Sequence, residues 1–90
     1  MSLGIREIPR IDMGAFIKSY FPSIKDTRYR ASRQKHGAWL GIAFKDAQGA
    51  QYETYTSELR SGVYLAVVGG KQRRFHSPES LVSFLREAMN

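Results

Sequence analysis

Lys25, Arg28, Arg30, Arg33 and Lys35 fall within eleven consecutive positions, and only Asp26 opposes them there. Side chains of this kind neutralise phosphates and release condensed counterions, which gives affinity independent of base sequence. Arginine adds a planar fork that can grip two phosphate oxygens or stack on a base. A second basic group, Lys71, Arg73 and Arg74, stands near the C-terminus. His36 closes the first run, and Trp39, the single tryptophan, follows within the apolar stretch AWLGIAF. Lys25, Arg28, Arg30, Arg33, Lys35, His36, Trp39, Lys71, Arg73 and Arg74 therefore form the candidate nucleic-acid-binding set. Two plainer readings compete with it. A basic strand can be a charged edge that prevents sheet-to-sheet aggregation, and a lone tryptophan is usually core. Charge density favours function, because cations crowded this closely repel one another without a counter-surface.

Catalytic chemistry has less to stand on. His36 and His76 have no metal-ligand spacing, so no metal or other cofactor is expected. The carboxylates Asp12, Asp26, Asp46, Glu53, Glu58, Glu79 and Glu87 mostly occupy caps, turns or alternating strand positions. Glu53 and Glu58 point to opposite faces of a regular strand and make a poor acid–base pair. Ser77 follows a histidine, but capping explains it and no oxyanion-hole motif accompanies it. The glycines follow no dinucleotide or phosphate-loop spacing. The expectation is a protein without catalysis and without a small-molecule substrate.

Composition sets the frame. Ninety residues suffice for one core and one domain, 1–90. With 42% hydrophobic and 24% charged residues the chain is of globular type. A net charge of +6 favours a polyanionic partner. The absence of cysteine excludes disulfide and thiolate chemistry. No apolar run is long enough to span a membrane, and no signal-like segment opens the chain, so a cytoplasmic protein without membrane contact is expected.

The elements that would position the basic residues follow from local pattern. Residues 1–11 read as an irregular lead-in, with Pro9 blocking a helix. Asp12 is an N-cap, and Met13, Phe16, Ile17 and Tyr20 share one face of a short helix over 12–21. Phe21-Pro22 ends it. From residue 28 the period becomes two. Ala38, Leu40, Ile42 and Phe44 share one face, while Trp39, Gly41, Ala43 and Lys45 share the other. Residues 46–50 make a turn, and QYETYTSEL (51–59) is a returning strand. After a turn at 60–62, VYLAVV (63–68) reads as a central strand. Gly69-Gly70 signals a tight hairpin into KQRRFH (71–76). Ser77, Pro78 and Glu79 then open a helix whose apolar stripe is Leu81, Phe84, Leu85 and Ala88. The expected class is α+β: an antiparallel meander of four to five strands, a short N-terminal helix, and a C-terminal helix on one sheet face.

RASRQKHGAWLGIAF followed by RRFHSPESLVSFL resembles the three-stranded-sheet-plus-helix DNA-binding domains of plant ethylene-responsive factors and integrase arm-binding domains. The resemblance covers about half of the chain. It implies a DNA-facing sheet carrying Arg30, Arg33, Lys35 and Trp39. The strand at 51–59 and the N-terminal helix depart from that pattern.

Two functions are therefore expected to compete. The first is a small nucleic-acid-binding domain, DNA favoured over RNA, with Trp39 as an aromatic contact that Tyr55 or Tyr64 could join. The second is a protein-interaction module or homodimer, formed through the strand 51–59 or another exposed edge.

Overall fold

Asp12 accepts a hydrogen bond from the backbone N–H of Ala15 and starts helix α1, Met13–Tyr20. The computed structural model describes residues 12–34, 37–57, 60 and 62–89. The expected lead-in over 1–11, Lys35, His36, and the end of the third expected strand (58–59) lie outside the described residues. Helix α1 buries Met13 and Ile17, half-buries Phe16 and leaves Tyr20 48% exposed, so its inward stripe is narrower than the spacing suggests.

Five strands follow in one antiparallel sheet: β1 Lys25–Gln34, β2 Gly37–Lys45, β3 Gln51–Ser57, β4 Tyr64–Val68 and β5 Lys71–Phe75. Their order in space is their order in sequence. Helix α2, Pro78–Ala88, closes the chain, with Ser77 accepting from the Ser80 N–H at its start. The architecture is the expected α+β meander, with five strands rather than the three that the DNA-binding resemblance implies. Gly69 and Gly70, at φ +61° and +79°, make the tight β4–β5 turn that only glycine adopts at no steric cost.

The expectation that QYETYTSEL pairs with another chain is overturned. Strand β3 is the middle of the sheet, bonded to β2 on one side and β4 on the other, so it has no edge to offer. Tyrosine and threonine enrichment marks a strand, but it does not distinguish a central one from an outer one. The outer strands are β1 and β5.

Both helices lie on the same side of the sheet. Met13 and Ile17 from α1, and Leu81 and Leu85 from α2, share a buried cluster with Ile42, Phe44, Tyr52, Tyr64 and Ala66. Phe44 and Tyr52 are cross-strand partners whose rings stack at 5.5 Å. Burying one such large side chain stabilises the fold by roughly 1.5–3 kcal/mol. Leu40, expected with Ile42 and Phe44, is only half-buried, and Ala88 of the expected α2 stripe is exposed.

The far side of the sheet carries a smaller cluster of Trp39, Tyr55, Val63 and Leu65, with Val67 against it. Neither helix contributes to it. Alternation along each strand divides the residues in this way, and the two clusters are what makes the period-two pattern of β2 apolar on both faces.

Candidate nucleic-acid interface

Pairing register places the basic residues. Arg28 is opposite Ala43 and Arg30 opposite Gly41. Gly41 is opposite Tyr55, Tyr55 opposite Leu65, and Leu65 opposite Arg74. One row thus crosses the helix-free face from Arg30 to Arg74, over Gly41, Tyr55 and Leu65. The adjacent row runs from Arg28 over Ala43, Glu53 and Val67 to Gln72. Four strand spacings separate the ends of each row, about 19 Å along the sheet. The face therefore has arginines on both borders and a middle that is apolar except for Glu53.

The remaining cations sit elsewhere. Arg73 holds its guanidinium 5.4 Å from the Phe84 ring, on the α2 side of the sheet. Lys71 is exposed and in register with Val68, whose side chain packs on the helix-side core. Lys25 is exposed at the start of β1, opposite Lys45. Arg33 takes the register position opposite Ala38. Lys35 and His36 are outside the described residues. The structure thus brings Arg28, Arg30 and Arg74 to the helix-free face and sends Arg73 to the other.

Trp39 belongs to the helix-free face but is only 6% exposed. It packs among Tyr55, Val63 and Leu65, and the Arg74 guanidinium lies 5.8 Å from its ring centroid. Tyr55 joins Trp39 there, whereas Tyr64 packs in the helix-side core. A base would find little aromatic surface to stack on at Trp39.

Near the Arg28 row the face deepens into a groove of about 550 Å³. Arg28, Arg30 and Lys45 line it together with Asp26 and Glu53, over a floor that includes Ala43 and Val67. Asp26 has φ +54° where the β1–β2 register shifts between Lys25 and Arg28. An irregularity of this kind bends an outer strand. The Lys45 ammonium sits 3.6 Å from the Asp26 carboxylate.

Glu53 is the acidic centre of this face. It accepts a 2.6 Å hydrogen bond from the Tyr55 hydroxyl, and its other oxygen is 3.7 Å from the Arg30 guanidinium. Burial, the bond to Glu53 and the Glu53 charge push the Tyr55 hydroxyl up to about 12, with Arg30 acting in the opposite direction. In the sequence Glu53 stands out only as a poor acid–base partner of Glu58. The available signal was its spacing of two from Tyr55, which puts both on one pleat face. The link to Arg30 depends on the register of three strands.

Among the described residues no group of three or more His, Cys, Asp or Glu could hold a metal ion. No described helix is long and apolar enough to cross a membrane. Comparison with known proteins returns no match among family models, curated proteins or solved structures.

Proposed function

We propose that the chain is a non-catalytic nucleic-acid-binding domain, DNA favoured, that docks through its helix-free sheet face and strand β1. The observation that carries this reading is the placement of Arg28 and Arg30 on one border of that face and Arg74 on the other. All three are exposed. Together with the net charge of +6, they offer a polyanion charge along two lines, with small and apolar residues and the single carboxylate of Glu53 between. Phosphate contact, rather than stacking, is the main source of affinity, because the Trp39 ring is packed away. Strand β1 adds Lys25 at its start, whereas the register position of Arg33, opposite Ala38, falls on the helix-side pleat across from Arg30. A homodimer through the outer edge of β1 would instead bring basic strands of two copies together, which like charges oppose.

The test is a titration of fluorescently labelled duplex and single-stranded oligonucleotides across salt concentration. Log K on duplex should fall against log salt with a slope between about −3 and −6. Arg28→Ala with Arg74→Ala should weaken binding at least about tenfold and flatten that slope by about two. Absence of binding at the lowest salt would overturn the reading.

A further inference from the structure

We infer that Glu53 is a built-in competitor for the phosphate at Arg30, a tethered carboxylate from which a ligand must draw that arginine away. The inference rests on the nucleic-acid reading of the helix-free face and concerns which anions that face admits.

Three observations combine. Glu53 stands in the middle of the sheet, on the row next to Arg30, with an oxygen 3.7 Å from the guanidinium. Its second oxygen is tethered by the Tyr55 hydroxyl at 2.6 Å, and Tyr55 is itself only 4% exposed, so the carboxylate is held rather than free to swing away. The other acid of the groove, Asp26, is engaged by Lys45 at 3.6 Å. Glu53 is therefore the carboxylate set against the phosphate-facing charge.

The Arg30–Glu53 pair is partly exposed, with side chains 48% and 31% accessible, so it can open. A carboxylate in this position resembles one phosphate oxygen in charge and reach. It offsets the charge of Arg30 through one ion-pair contact when the face is empty, and that contact is exchanged when a polyanion arrives. A single weak anion gains nothing from that exchange. A polyanion that also engages Arg28 and Arg74 does, because its other contacts support the exchange. The result is a face that discriminates by the number of linked phosphates.

The experiment compares wild type, Glu53→Gln and Glu87→Gln on one labelled duplex across salt. Both variants add the same unit of charge, but Glu87 is exposed on α2 and away from this face. Glu53→Gln should tighten binding about threefold to fivefold and steepen the salt slope by about one, as Arg30 becomes an additional counterion-releasing contact. Glu87→Gln should give a smaller gain with the slope unchanged. Tyr55→Phe, which keeps the ring and frees the carboxylate, should fall between wild type and Glu53→Gln. Equal behaviour of the two Gln variants, or weaker binding by Glu53→Gln, overturns the inference while leaving the nucleic-acid reading in place. Failure of all proteins to bind at low salt removes that reading instead.

Discussion

The guanidinium of Arg74 lies over the ring of Trp39, 5.8 Å from its centroid, on a sheet face that no described helix covers. The two residues come from β5 and β2, with two strands between them. This relationship recasts the tryptophan. Trp39 is the packed centre of a second small core, and Arg74 is both part of its cover and the outer border of the charged face.

The first prediction concerns that centre. Trp39→Ala should cost about 3–5 kcal/mol, measured by urea unfolding, as expected for deletion of a packed large aromatic. Arg74→Ala should cost only about 0.5–1 kcal/mol, the range of a cation–π contact. In wild type, emission from this single tryptophan should be blue-shifted and poorly quenched by iodide. Nucleic acid at saturation should shift it little. Strong quenching on binding would mean that a base reaches the ring, against the phosphate-contact reading.

A pH prediction follows from Asp46. Its carboxylate accepts from the N–H groups of Gln48 and Ala50 at 3.0 and 2.9 Å, and from the Tyr52 hydroxyl at 3.0 Å. Burial alone would raise its pKa, but the bonds from Ala50, Tyr52, Gln48 and Gly49 outweigh it and hold the group below the ordinary 3.8. A depressed carboxylate stabilises the fold above its unfolded pKa, and this is lost as pH falls through the folded value. Melting temperature should therefore drop below about pH 4 in wild type. Asp46→Asn should start lower at neutral pH and show a shallower acid drop. At the alkaline end Tyr55, pushed up to about 12, stabilises the fold below the ordinary tyrosine value of 10.0, a contribution lost as pH rises through its folded value. Tyr55→Phe should flatten that branch.

The buried hydroxyl of Thr54 gives a stabilising change. Thr54 is fully buried in the middle strand, and its Oγ1 has no hydrogen-bond partner among the described residues. An unsatisfied buried hydroxyl costs about 1–3 kcal/mol, and valine has nearly the same shape. Thr54→Val should raise stability by about 1 kcal/mol in urea unfolding. Unchanged or lower stability would mean that the hydroxyl is satisfied after all.

These predictions divide by how local their causes are. The caps Asp12 and Ser77, the helix-opening Pro78 and the Gly69-Gly70 turn act within a few residues, and so they were readable in the sequence. Alternation also showed that Trp39 and Leu40 take opposite faces. It could not show which face would be better packed, and Leu40 is more exposed than Trp39. The candidate site was readable as a list of cations but not as a surface. Whether Arg73 or Arg74 shares a face with Arg30 depends on every register between β1 and β5. The Tyr55–Glu53–Arg30 chain likewise needs the pairing of β1 with β2 and β2 with β3. Those pairings are set by tertiary packing, which single positions do not reveal.

Gly41 supplies the sharpest test of the sheet itself. It is buried in β2, opposite Arg30 on one side and Tyr55 on the other. A Cβ built at this position would overlap the Thr54 carbonyl oxygen and lie 2.7 Å from Tyr55 Cα. These are backbone atoms of the central strand, so no rotamer change can make room. The close approach of β2 to β3 at this point therefore depends on a missing side chain rather than on an unusual φ. Gly41→Ala must push β3 away, disturbing Thr54 on the helix side and Tyr55 on the other side together. The expected loss is about 3 kcal/mol or more, a large part of the roughly 5–13 kcal/mol available to a domain of this size. Urea unfolding should show a much lower midpoint. Folded Gly41→Ala should also lose the Tyr55–Glu53–Arg30 geometry, so its alkaline melting branch should lie between those of wild type and Tyr55→Phe, because burial still raises the Tyr55 hydroxyl. A variant as stable as wild type would show that β2 and β3 do not approach this closely.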